Sequence, residues 1–275
     1  MLKQIFATII LSLFYPEGSW LNELTSMDHL VEYNTINLNH VGADPNVVVN
    51  NTQWPLVPTQ RTDGGTAVVL STFDTEPTHV TNVEELETSY QKCESVLRQH
   101  AESLRKQAGV SAAFNIAPAT STYTTTGAAR PDGNFRMTYN DILRMRTIFN
   151  KQDCPMDGRV VLLSPEHEED LLAEDANRYH LMMQSGSIAG FKVYTFTNNP
   201  QYSTSGAKQP IGTINAQPSS IFFEKSLVMR AMGEITGEPE NRWADYRGWL
   251  IGMQMRFVAM PMRTGQGVLA MYSGQ

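Results

Sequence analysis

The sequence predicts an α+β fold from three observations. One long stretch repeats apolar residues at helical spacing, several short stretches on either side of it alternate as strands do, and nowhere do strand and helix signals alternate regularly as in a doubly wound sheet. The chain has 275 residues, 41% of them hydrophobic and 18% charged, enough for one large or two small folded units. Its net charge is −7, and lysine and arginine form no run, so neither a nucleic-acid patch nor an anionic-membrane patch is expected. Cys93 and Cys154 match no metal or redox spacing and are expected to be free thiols.

In chain order, Lys3 and the apolar run 5–15 resemble the charged and hydrophobic parts of a signal peptide. The run is too short to span a bilayer and no A-x-A-like site follows before Pro16, so a short docking helix is expected, with no membrane contact. Residues 36–40 alternate like a strand, and 67–73 read as a second. Between them lies a Pro/Gly/Asn-punctuated excursion of about twenty residues, too long and too poorly patterned for a compact domain, which should reach a neighbour. The clearest helix spans 83–108, with a stripe at Val83, Leu86, Tyr90, Cys93, Leu97, Ala101, Leu104 and Ala108. Asn82 can cap it, acidic residues fill its first turn, and Gly109 is expected to end it. At 1.5 Å per residue it would be roughly 39 Å long, a spine for the molecule.

Residues 111–134, rich in Thr, Ala and Gly, read as loop or irregular strand. Thr138 with Asp141 forms a capping-box pattern ahead of a helix ending near Asn150. Residues 160–163 are a short buried strand leading to Ser164-Pro165, an N-cap and first-turn proline, and an acidic helix. Residues 191–196 are a strand, 198–210 are turn-rich, 220–232 have strand or helix character, and 249–258 and 268–272 are strands.

Fragments that suggest chemistry fail on context. Residues 265–270 satisfy G-x-G-x-x-A, but only five residues follow where a helix is required, so a glycine turn in a terminal hairpin is expected. His167 lies among Glu166, Glu168, Glu169 and Asp170 without the H-E-x-x-H spacing, and is expected at a solvated helix start. Met253, Met255, Met260 and Met262 fit strand faces that fill a core or a subunit contact, and residues 185–190 miss the nucleophile-elbow pattern. No enzymatic activity, cofactor or metal is expected.

The order of arm, excursion, spine helix, compact mixed region and returning strands resembles the major capsid proteins of tailed bacteriophages, whose fold encapsulins share. The likeness is carried by the excursion leading into Glu84-Glu85-Leu86-Glu87-Thr88-Ser89-Tyr90, by residues 187–194, and by 245–249 through 265–268. It implies an N-terminal arm (1–34), an extended loop (35–72), a peripheral domain (73–133) with its spine helix (83–108), an axial domain (134–235), and C-terminal strands (236–275) returning to the peripheral domain. It implies a shell of hexamers and pentamers of this chain, with scaffold, portal and cement partners, enclosing double-stranded DNA without sequence-specific binding. Subunit contacts are expected at Val47, Val48, Val49, Trp54 and Arg61 of the loop, and at Ser203 and Gly206 near the capsomer axis. An encapsulin-like compartment is the alternative. Some members of the family join subunits through a loop lysine. Here no lysine lies between Lys3 and Lys92, so the expected shell is non-covalent.

Overall fold

The computed structural model describes residues 18–40, 50–52, 64–81, 92–120, 122–237, 240–241, 247–263 and 265–274. The expected N-terminal helix and the start of the spine helix lie outside them. Among the described residues, twelve strands are longer than two residues: β1 (Thr35–His40), β2 (Gly64–Val69), β3 (Ser71–Asp74), β4 (Thr78–Thr81), β5 (Thr122–Thr124), β6 (Arg159–Leu163), β7 (Phe191–Thr195), β8 (Ser219–Glu224), β9 (Val228–Thr236), β10 (Gly248–Ile251), β11 (Gln254–Pro261) and β12 (Val268–Tyr272). The helices are α1 (Lys92–Ile116), α2 (Tyr139–Lys151), α3 (Pro165–Glu174) and α4 (Ala176–Ser185).

A six-stranded mixed sheet runs β5-β12-β8-β6-β7 and ends on the pair 187–188. Both its faces are buried, and the two-residue period of a strand divides them. Val160, Leu162, Ile221 and Phe223 face a core containing Leu97, Ala101, Leu104, Ala108, Ala112 and Ile116 of α1. Val161, Leu163, Phe222, Leu269 and Met271 face a second core with Ile142, Met145, Phe149, Leu171 and Phe191. Helix α1 also covers Met255, Phe257 and Ala259 of β11, which belongs to a four-stranded sheet of the pair 25–26 with β9, β11 and β3. The helix therefore joins the two sheets, as a spine would.

Helix α1 does not stop at Gly109. Ala112, Ala113 and Ile116 are fully buried beyond that point, and a Cβ at Gly109 would lie 3.5 Å from the Phe196 ring. The small residues that suggested a loop form a close-packing seam, and seam burial outweighs the roughly 1 kcal/mol helix penalty of one glycine. The expected loop 111–134 also contains β5, parallel to β12. Helix α2 has the expected cap: Thr138 and Asp141 satisfy each other's backbone N–H groups. Ser164 caps α3, with Pro165 in its first turn.

Two expected strands are divided, 67–73 at buried Leu70 and 249–258 at Gly252-Met253, and 220–232, expected as strand or helix, is two strands separated by the turn Lys225–Leu227. The 265–267 turn closes no hairpin, because β11 and β12 lie in different sheets and the turn carries the chain between them. The last strand is therefore grouped with β8 rather than with β9 and β11.

Candidate assembly surfaces

The two ends of the excursion are held together in a two-stranded stalk. Strands β1 and β2 pair antiparallel from Thr35↔Val69 to His40↔Gly64. Ile36 and Leu70 anchor the stalk by packing on Ala231 and Val258, and Leu70 N–H donates to Asn34 O at 2.9 Å. At its base Leu30 and Val69 are exposed and Tyr33 is 97% exposed. The expected contact residues Val47, Val48, Val49, Trp54 and Arg61 lie outside the described residues.

The chain's entry is tied to the six-stranded sheet. Trp20 packs edge-on against Phe196 and Phe223, at centroid separations of 5.4 and 6.5 Å. Glu23 accepts from Lys192 Nζ at 2.6 Å and Tyr194 Oη at 2.8 Å, with Lys225 Nζ 3.8 Å away. Burial alone would raise the Glu23 carboxyl, but these donors outweigh it and hold it below the usual carboxylate range. The bond to Glu23, followed by that to Tyr194, pushes Lys192 up to about 12.

Ser203 and Gly206 sit in a small hairpin formed by residues 201–202 and 208–209. It is seated on the core rather than projecting from it. Buried Tyr202 donates to Pro118 O at 2.6 Å and stacks on Tyr272. Lys208 Nζ donates to Phe114 O and Ala117 O, both at 2.8 Å, satisfying carbonyls at the end of α1. Burial lowers the Lys208 pKa. Ser203 and Gly206 are half-buried, and a Cβ at Gly206 would come within 3.2 Å of Thr122 Oγ1 and Tyr272 Oη. The more exposed feature is the following loop, 210–215, where Ile211 is exposed and Ile214 is 87% exposed. Sequence reasoning placed the turn-rich segment at the surface but missed this loop, although its isoleucines between proline, glycine and asparagine are the signal for it. Leu172 on α3 and Leu181 and Met183 on α4 are also exposed.

His167 is not at a solvated helix start. It is 0% exposed, as are Ser220 and Ser273, whose Oγ atoms lie 2.7 Å from Nδ1 and 3.0 Å from Nε2. Ser220 Oγ also accepts the Ser164 N–H at 3.1 Å. Burial, with nearby Arg130, lowers the imidazole to about 3. A serine beside a histidine is the beginning of a nucleophile–base pair, but full enclosure denies it a substrate. The sequence signal was positional: His167, Asp170 and Leu171 share the inner face of α3 at spacings of three and four. Asp170, also buried, pairs with Arg130 and accepts the Met137 N–H at 2.8 Å. Met253 and Met255 fill the core. Among the described residues no group of three His, Cys, Asp or Glu side chains is placed to hold a metal, and no helix is long and apolar enough to cross a membrane.

No protein-family model matches the chain, and no curated protein sequence does. Solved structures do match over nearly its whole length. The capsid of Ralstonia phage GP4 superposes with a TM-score of 0.67 at 10% identity, covering 91% of this chain and 87% of that one. The bacteriophage PhiM1 mature capsid gives 0.62 at 10% identity, covering 94% and 88%. The virus-like particle from Pyrococcus furiosus gives 0.61 at 9% identity, covering 98% of each chain. The fold is that of phage capsid proteins, as the sequence resemblance implied.

Proposed function

We propose that this chain is a major capsid protein, which self-assembles into the icosahedral shell around the double-stranded DNA genome of a tailed phage or prophage. One observation carries the reading: nearly the full chain superposes on the capsids of several phages. The stalk supports an extended loop over 35–72 that overlaps a neighbour, with Val47, Val48, Val49, Trp54 and Arg61 as its contacts. In place of the boundaries 73–133, 134–235 and 236–275, we assign α1 and the four-stranded sheet to the peripheral domain and the six-stranded sheet with α2, α3 and α4 to the axial domain. The role is structural, the location is the virion capsid, and assembly takes place in the cytoplasm of a bacterial host. Scaffold, portal and cement proteins are the further partners this role calls for. DNA is enclosed without sequence-specific contacts.

The full-length likeness to the Pyrococcus virus-like particle favours a second reading, a genome-free compartment of the encapsulin kind. Electron microscopy of the expressed chain tests both. Closed shells are expected, and a monodisperse monomer under all conditions would overturn the proposal. Double-stranded DNA inside shells recovered from the native source separates the phage reading from the compartment reading.

A further inference from the structure

Between Lys192 and Glu224 the sequence holds one charged side chain, Lys208. Its ammonium is engaged with the carbonyls at the end of α1 and lies 4.5 Å from the Phe114 ring centroid. Surface loops are ordinarily solvated by charge, whereas loop 210–215 is exposed throughout and uncharged. The loop is also pre-shaped. Gly212 N–H donates to Gln201 Oε1 at 3.0 Å, Thr213 Oγ1 donates to Pro210 O at 2.8 Å, and Gly212 and Asn215 both take left-handed backbone angles. These bonds hold Ile214 out in solvent.

Beside the loop lies an apolar groove of about 210 Å³, lined by Val110 and Phe114 of α1 and by Pro200, Pro210 and Ile211. Its remaining lining is Gln107, Ser111 and Asn198, so it too contains no ionisable group. Ile214 does not line this groove in its own subunit. A protruding isoleucine and an apolar groove of ample volume thus stand side by side on one uncharged face. Charge depletion with apolar residues at the centre is the composition of a protein–protein contact, and a pre-shaped loop loses little entropy on docking.

We propose that Ile214 of one subunit seats in the Val110–Phe114–Pro200–Pro210 groove of the next copy. Each knob enters the groove of the next copy rather than the two being exchanged within one pair, so the contact is heterologous. Repeated around an axis it closes a ring, as a capsomer requires. The identity of the occupant, a second copy, rests on the shell reading. The subunit contact is thereby displaced from Ser203 and Gly206, which brace the hairpin, to the loop that follows them.

The test co-expresses two full-length variants with different tags, Ser111→Cys and Ile214→Cys, and oxidises the product. Neither variant can form the 111–214 bond alone, and each variant oxidised by itself controls for Cys93 and Cys154. A mixed-tag dimer only in the co-expressed sample supports the contact. Particles without that dimer overturn the contact and leave the shell reading intact. The dimer without particles keeps the contact and overturns the shell reading, and neither product overturns both. In parallel, Ile214→Asp should lower particle yield at least tenfold with the subunit's thermal midpoint unchanged, while Ile214→Val assembles normally. Normal yield for Ile214→Asp would also overturn the contact.

Discussion

His167 bridges α3 to the ends of β8 and β12, and its chemistry is set by enclosure. The folded state holds it neutral with a pKa of about 3, against an ordinary value of 6.5. Because the folded pKa is depressed, its contribution is complete above pH 6.5 and is lost as pH falls toward 3, where the unfolded chain binds a proton that the folded chain refuses. The slope from this one group approaches about 1.4 kcal/mol per pH unit inside that window. His100, buried between Thr75 and Thr78, shifts the same way, so the test must be differential. Urea unfolding of wild type and His167→Gln from pH 7 to pH 4 should show a shallower pH dependence in the variant, with lower stability at pH 7. Equal slopes would mean that His167 is protonated in the fold.

The Arg130–Asp170 pair makes a second test at this scale. Asp170 is buried, so Arg130→Ala leaves an uncompensated carboxylate and should cost about 3–5 kcal/mol in chemical denaturation. The double variant Arg130→Met/Asp170→Leu should recover much of that loss, and no recovery would show that the pair fixes the 126–137 segment by hydrogen-bond geometry rather than by charge balance. These residues also mark where the sequence was silent. An acidic helix start is legible because carboxylates follow a serine-proline cap, whereas the partners of His167 and Asp170 come from elements 53, 106 and 40 residues away. No local pattern carries that information.

At the scale of elements, capped helices and alternating strands were legible, since their signals are local. Thr138 with Asp141 and Ser164-Pro165 formed the caps they announced. The C-terminal end of α1 was not, because Gly109 and the following small residues signal a stop unless a tertiary partner fills the space beside them, and that partner is Phe196 on the far side of the chain. The 265–267 turn shows the same limit: its glycines announced a turn but not its destination. Gly267 has φ +70 and no room, a Cβ there falling 2.2 Å from Leu227 Cδ1, while Gly265 has φ +82 and open space. Gly267→Ala should therefore destabilise the subunit more than Gly265→Ala, which carries only left-handed strain of about 1–2 kcal/mol. Thermal midpoints of the two variants measure the difference, and equal losses would show that Leu227 moves aside without cost.

For the whole molecule, the order of parts was legible. Assembly surfaces carry no periodic signal, and their complement lies on another chain. One property of the proposed shell follows from composition. Welding subunits through an isopeptide bond needs an unprotonated amine on the loop, beside a carboxamide and a carboxylate that moves the proton. Between Lys3 and Lys92 the sequence has no lysine, and Arg61, the one cation in that span, keeps its proton at any relevant pH. Of the lysines outside the loop, Lys192 is held charged by Glu23, and Lys208 donates to two backbone carbonyls at the end of α1. Neither presents a free amine to a neighbour. Shells boiled in denaturing detergent with reductant should therefore return one band near 30.7 kDa. A ladder of subunit multiples surviving that treatment would overturn the argument and direct attention to Lys151, an amine exposed at the end of α2.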